Sequence, residues 1–530
     1  MNRTTNAQAS LWDRALPWPL VALLAVGLLL RLIFINSQGF NVDVQTFIAW
    51  TISLVDHGLP NFYGKTSFVD YPPGYFYILA LIGHLWEPLR ASDTSYGLIR
   101  AFVKLPAILA DLGIGILLFA IAKRFTGAAV ALGTAALYVL NPATIFISAF
   151  WGQVDSVAGF FVLLAAYLLL KSDDIPGERL SWHIPVAWIA LAYSLMIKPQ
   201  AAIVIPVFIA FAFTIPSRRR TRIAGTLAGI ALAIVFSILL VEPFHPTANP
   251  FGAIVWLLER FAHGSSVYPV NSVNAFNLWA IKGPFWQQDS LPLFGIPQYF
   301  WGIGLVVAAS MLIVWRYVAD RTPGGLLEAS ALSLLAFFIL ATRMHERYSF
   351  DGYLFVIACV PLARRYLWGA IVLSVVLFAN LEYSLQYLAA VSGQATGVDA
   401  RNLWGIVTSF YAVLSVGTFF LLGYQYLGGT AEDTGSTAAG TQAGATPEPG
   451  FDVMGWFRSG RTAFDPSEGF AAMRAPVDYL LMLGLGAVSF VLSYVNYWYP
   501  TGKVFDEIYF ARAAEEYLKN MRIYENTHPP

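Results

Sequence analysis

The chain is poor in cysteine, in charge and in the short motifs that mark soluble enzymes. Its single cysteine in 530 residues, Cys359, sits in an apolar run, which excludes an intrachain disulfide and a cysteine-based metal cluster. Only 12% of the residues are charged, against roughly a quarter in an average soluble domain. Hydrophobic residues make up 57% and mean hydropathy is +0.60, so the composition is that of a polytopic membrane protein. The 32 basic and 32 acidic residues cancel, and nothing suggests a nucleic-acid partner. No Gly-rich phosphate loop is present, so no soluble-nucleotide site is expected. The first apolar stretch carries Arg31 and has no small-residue cleavage site behind it, and it reads as a retained anchor.

Apolar runs long enough to span, or nearly so, lie at about 19–36, 100–122, 128–149, 154–170, 184–198, 200–216, 223–241, 299–316, 325–341, 352–363, 366–388, 403–427 and 477–498. They predict an all-α bundle of about twelve transmembrane helices plus one further helix, with external loops carrying amphipathic helices. The segment "GYFYILALIGHLW", 74–86, is short for a span and suits an interfacial or re-entrant helix. If it does not cross and the N-terminus is cytoplasmic, the basic loops at Lys123 and Arg124, Arg218 to Arg222, Arg316 and Arg321, and Arg364 and Arg365 all fall inside. The same parity sends "FNVD" (40–43), "DYPP" (70–73), "WGQVD" (151–155), "KPQ" (198–200), the loop 242–298 and "RMHERY" (343–348) to the extracytoplasmic face. Ionisable groups gathered at one end of membrane helices form a functional hypothesis, although any single one also suits an interfacial anchor.

Residues 428–475 are rich in Gly, Ala, Thr and Pro without apolar period and read as a flexible cytoplasmic linker after a transmembrane module, 1–427. The remainder, 476–530, repeats the opening layout. "FDEIYFARAAEEYLKN" and "HPP" parallel "FNVDVQTFIAWTISLVDHG" and "DYPP", so 476–530 reads as the first helix and first external loop of a second, truncated module.

In the order Asp43, "DYPPGYFY", "ILADLGIG", "LNPATIFISAFWGQVDS", "MIKPQ" and "RMHERY", residues 40–390 resemble the GT-C class of membrane glycosyltransferases, whose donor is a sugar linked to a polyprenyl or dolichyl phosphate. The resemblance is greatest to the branch of dolichyl-phosphate-glucose glucosyltransferases and related bacterial mannosyltransferase-like proteins. The tail from "FDEIYFARAAEEYL" to "HPP" resembles instead the start of the protein O-mannosyltransferase branch. The eukaryotic glucosyltransferases have a His-rich segment where this chain has "WGQVD", and "HVHEK" where it has "RMHERY", so donor sugar and acceptor do not carry over.

The resemblance implies transfer of a hexose, mannose or glucose, to an extracytoplasmic glycan, lipid or protein, in contact with membrane lipids. Inverting transfer from a lipid phosphate needs a base on the acceptor hydroxyl and cations where charge develops on the departing phosphate. Asp43 is the candidate base, with an N-cap role as its alternative and Asp56 and Asp70 as competitors. Arg347, Arg343 and His345 are candidates to bind the donor phosphate, and Glu346 to orient His345 or Arg347. On a helix His345 and Arg347 point about 200° apart, so a frayed end or loop is needed for both to reach one phosphate. Lys198 is a further phosphate contact or a snorkelling lysine. Asp70 and Tyr71 shape the acceptor entrance. The Trp151 face is expected to stack on a sugar whose hydroxyls meet Gln153 and Asp155, Asp155 alternatively capping a helix from Ser156. In the second module Asp506 would be the base, beside Glu507. No cofactor is required; one His and one Glu without a HExxH pattern make no zinc site, so a divalent metal is compatible but not indicated. Rival functions are a transporter or flippase of lipid-linked sugars, which asks for charges near the helix midplanes where Asp111 stands nearly alone, and a polymerase or ligase with a lipid-diphosphate donor.

Overall fold

A computed structural model describes residues 17–174, 181–245, 249–281, 285–319, 322, 324–391 and 400–428. The linker and second-module assignments, with Asp506 and Glu507, lie outside these residues. The helices are α1 (Trp18–Leu32), α2 (Asn41–His57), α3 (Phe62–Lys65), α4 (Gly74–Trp86), α5 (Gly97–Ala122), α6 (Ala128–Val139), α7 (Pro142–Ile145), α8 (Asp155–Ser172), α9 (His183–Ile197), α10 (Ile205–Phe211), α11 (Arg219–Val241), α12 (Pro250–Ser266), α13 (Leu278–Ile281), α14 (Gln298–Ala319), α15 (Gly325–Leu340), α16 (Phe350–Cys359), α17 (Arg364–Val391) and α18 (Ala400–Gly428).

Of the twelve spans expected before residue 427, six are helices long and apolar enough to cross a membrane. A seventh, 128–149, is a pair bent by 45°, and five are apolar helices of 10–17 residues. The bend has a local cause. Pro142 disfavours helical backbone at Asn141, whose side chain instead accepts from the Ala143 amide at 2.8 Å and starts a new helix. That helix widens into a π-turn, Phe146–Trp151, which stops at Gly152 with φ +89°. The expected span at 200–216 likewise opens as a 3-10 turn, Pro199–Val204, because Pro199 and Pro206 cannot donate to a helical ladder. The 74–86 segment is the 13-residue helix α4, packed on the amphipathic α2.

Helix α15 is apolar all round and buried on nearly every side, which puts it at the centre of the bundle. In α11 and α14 only 22% and 17% of the apolar window is buried, and residues such as Leu227, Leu239, Met311 and Trp315 face outward as lipid-facing positions do. A second core lies under α2, where Phe47 packs edge to face with Trp50 and Tyr75, Trp50 does so with Phe76, and Phe62 lies tilted on Phe76. Each such pair contributes about 0.5–1.5 kcal/mol beyond its burial.

Asp111 is not alone. Arg31 Nε donates to its Oδ2 at 2.7 Å, Tyr138 Oη to its Oδ1 at 2.6 Å, and Ser156 Oγ also to Oδ1. Arg31 spends its other nitrogens on the Val139 carbonyl and Thr144, and both charged groups are 0% exposed. The charged residue of the first span is thus one half of a buried clamp joining α1, α5 and the bend after α6.

Helices α5 and α8 carry the expected clusters to opposite ends of the bundle. Asp155 starts α8, and Asp174, just past its end, accepts from Arg124 at 2.7 Å. Arg218 donates to the Asp173 carbonyl, and Arg365 to Glu328 at 2.9 Å, in the same way at helix ends remote from Asp155.

Candidate active site

The chain segment before α2 turns at Gly39, φ +55°, directly against the neighbouring backbone. A Cβ there would lie 2.5 Å and 2.6 Å from the carbonyl oxygens of Phe150 and Trp151, so only glycine permits the approach. The next turn is the first of α2, and it holds Asp43. Phe40 occupies the N-cap position and no side chain caps the helix, so the capping alternative for Asp43 does not hold. Its Oδ2 accepts from Trp151 Nε1 at 2.8 Å and from Gln153 Nε2 at 2.5 Å. Its Oδ1 takes part in no hydrogen bond among the described residues.

Trp151 is fully buried, with Phe40 and Phe146 edge-on to its ring. It therefore offers no face for a sugar, contrary to expectation; its contribution is the indole N–H on Asp43. Gln153 gives its amide nitrogen to Asp43 and keeps a buried Oε1 without a partner.

Asp155 opens α8 without capping it. Its Oδ1 accepts from Lys198 Nζ at 2.7 Å, and its Oδ2 has no hydrogen-bond partner, with Arg347 Nε at 3.9 Å. Lys198 stands in extended backbone where α9 stops before Pro199. It is 5% exposed, so it does not snorkel, and its ammonium lies between the Tyr71 and Tyr348 rings at 5.8 Å and 5.9 Å. Asp351, on the first turn of α16, also acts electrostatically on Lys198 and Asp155, and was not singled out from the sequence.

The stretch 341–349 is not helical, which removes the 200° separation expected of His345 and Arg347. Arg347 Nη1 donates to Glu346 Oε1, and its buried Nε makes no hydrogen bond. Glu346 therefore orients Arg347; His345 Nδ1 stays 3.9 Å from it, outside hydrogen-bond reach. His345 is enclosed by Tyr268 and Tyr348 with ring centroids 5.0 Å away. Burial, with Arg347 and Lys198 beside it, holds its pKa well below the usual value and favours the neutral ring. Burial also raises the carboxyls of Glu346 and Asp70, and Asp70 keeps a buried Oδ1 without a partner. Tyr71 is anchored through its carbonyl, which accepts from Tyr63 Oη at 2.9 Å.

Arg343 serves elsewhere. With φ +64°, its Nε donates to Asp289 at 2.6 Å and Nη1 to the Ser265 carbonyl at 3.0 Å, while Tyr299 lies under its guanidinium at 4.2 Å. It pins the loop that follows α12, which also pairs strand β1 (Ser272–Val273) with β2 (Met344–His345) in a short parallel ladder. Asp289, the acceptor that fixes this role, carried no signal in the sequence beyond its charge.

Asp43, Asp70, Asp155, Lys198, Glu346 and Arg347 thus converge from five separate stretches of chain, as their mutual electrostatic effects also require. Four buried polar atoms among the site residues, Asp70 Oδ1, Gln153 Oε1, Asp155 Oδ2 and Arg347 Nε, have no hydrogen-bond partner, the last two facing each other at 3.9 Å. Such atoms are costly to bury and are common where a ligand or water completes the bonding. No group of three or more His, Cys, Asp or Glu suited to a metal occurs among the described residues.

Among curated proteins none matches this chain. A family profile described as dolichyl-phosphate-mannose-protein mannosyltransferase matches residues 70–243, about a third of the sequence. The matched stretch includes Asp70, Tyr71, Trp151, Gln153, Asp155 and Lys198 and excludes Asp43 and the 343–347 cluster, and over it the chain is similar to that family of mannosyltransferases.

Proposed function

We propose that this integral membrane protein is a glycosyltransferase that moves a hexose, mannose or glucose, from a polyprenyl-phosphate donor to an extracytoplasmic hydroxyl acceptor with inversion. The observation that carries the reading is the Asp43 carboxylate: one oxygen is fixed by Trp151 and Gln153 and the other is open, within the electrostatic reach of Arg347. The match of residues 70–243 to a mannosyltransferase family supports the reaction class.

In this reading Asp43 Oδ1 takes the proton of the acceptor hydroxyl as its oxygen attacks the anomeric carbon. The bond from that carbon to the phosphate oxygen breaks, and its electron pair leaves with the polyprenyl phosphate. Arg347 meets the developing charge with its Nε, which makes no hydrogen bond within the protein, Lys198 adds a second cation, and neutral His345 adds an N–H. Gln153 Oε1, Asp155 Oδ2 and Asp70 Oδ1 accept from sugar or acceptor hydroxyls. A transport role would place charges along a passage. The mid-bundle pair Arg31 and Asp111 is sealed and mutually satisfied, which favours the enzyme.

The test is release of polyprenyl phosphate from a panel of polyprenyl-phosphate hexoses by the purified protein. Asp43→Asn should abolish turnover and leave donor binding intact. Turnover that survives moves the base to Asp70 or Asp155. Absence of turnover with every donor, together with donor translocation in vesicles, would establish the transporter instead.

A further inference from the structure

Two helical turns into α5, Lys104 is 0% exposed, and among the described residues none of its hydrogen-bond partners is a carboxylate. Its ammonium donates to the Ser37 carbonyl at 2.7 Å, Ser37 Oγ at 2.9 Å, the Ala149 carbonyl at 2.9 Å and the Phe150 carbonyl at 3.1 Å, with the Phe34 carbonyl at 3.5 Å. Ser37 Oγ in turn donates to the Phe150 carbonyl at 2.8 Å. The lysine stem is packed as well, since a Cβ on Gly152 would stand 3.0 Å from Lys104 Cε.

These acceptors belong to two stretches distant in sequence. Residues 34–37 follow the end of α1 and lead through Gly39 to Asp43, whereas 149–150 end the π-turn and lead to Trp151 and Gln153, the two donors on Asp43. The Ala149 and Phe150 carbonyls are among those the π-turn leaves unpaired at its C-terminal end, whereas the Ser37 carbonyl belongs to non-helical chain beyond α1. Burying an ammonium is expensive unless it is fully hydrogen-bonded, and here backbone oxygens from both stretches supply the bonds.

We propose that Lys104 is a positioning residue: one ammonium joins the backbone that carries the base Asp43 to the backbone that carries the groups holding it. The inference rests on the assignment of Asp43 above for its catalytic consequence. It does not rest on it for the tether itself.

The test uses the full chain in lipid nanodiscs as wild type, Lys104→Met, Lys104→Arg and Ser37→Ala, read by amide hydrogen exchange and by steady-state kinetics. Lys104→Met should speed exchange in residues 34–43 and 149–153 together and lower kcat by about 100-fold, the scale of a displacement of about 1 Å, with donor KM little changed. Lys104→Arg should recover part of both, and Ser37→Ala should show a smaller effect of the same kind. Wild-type exchange in both stretches of Lys104→Met, or a loss carried by donor KM instead of kcat, overturns the proposal. Should Lys104→Met fail to fold, Ser37→Ala decides: faster exchange at 149–153 supports the tether and unchanged exchange refutes it. If the wild type transfers no sugar while the two stretches still loosen together in Lys104→Met, the tether stands and the transferase reading falls.

Discussion

At the scale of single residues, the site separates groups of like chemistry by their partners. Arg343 and Arg347 are four positions apart, yet Arg343 is consumed by Asp289 and Ser265, whereas Arg347 retains a buried Nε without a hydrogen bond. Arg347→Ala should therefore raise the donor KM by about 10- to 100-fold, the worth of a charge-assisted hydrogen bond of about 1.5–3 kcal/mol, and leave the acceptor KM nearly unchanged. Initial rates with each substrate varied in turn check this; a rise confined to the acceptor KM would remove Arg347 from the phosphate. The sequence made Asp43, Lys198 and Arg347 visible through residue type and position beside apolar runs. It did not reveal which arginine of "RMHERY" is spent on structure, because Asp289 lies 54 residues away and nothing local marks the pairing. Trp151 misled for a related reason: an aromatic ring at a helix end reads the same whether its face or only its N–H is free, and burial decides between them.

At the scale of elements, hydrophobic runs located the helices well and their ends less well. Breaks fell where proline removes a backbone donor, at Asn141-Pro142 and at Pro199, inside stretches that hydropathy alone makes continuous. The buried clamp of Arg31 and Asp111 was also hidden, since its members are 80 residues apart. Removing one partner strands the other charge in the bundle, so Asp111→Asn should lower stability by about 3–5 kcal/mol. Thermal unfolding of the solubilised protein measures this. The double variant Arg31→Met with Asp111→Leu should regain part of the loss, because it buries no unpaired charge, and a double variant no better than the single one would contradict that account.

For the whole molecule, the arrangement has a strong polarity. The carboxylates and cations around Asp155 occupy one end of α8, and the ion pairs of Arg124 and Arg222 with Asp174 and Asp173 occupy the other. If the basic end is cytoplasmic, as the bias of Lys and Arg predicts, reporter fusions at residues 124 and 220 read cytoplasmic and one at 348 reads extracytoplasmic. Finding 124 and 348 on one side would overturn the sidedness of the proposed reaction.

The π-turn at Phe146–Trp151 has a consequence for how the site tolerates change in chain length. Such a turn holds one residue more than the α-helical ladder needs, and each residue of helix turns the chain by about 100°. Deleting a single residue between 146 and 150 would let the turn close as ordinary helix without breaking it. The bundle would stay folded and Trp151 and Gln153 would keep their aim at Asp43, because five residues of ordinary helix turn the chain about as far as six in the wider turn. Turnover retained in a protein that still unfolds at its normal temperature would be the mark of that closure. Catalytic alignment here carries one residue of slack, and a deletion in this turn is absorbed where the same deletion in an ordinary helix would rotate everything after it by about 100°.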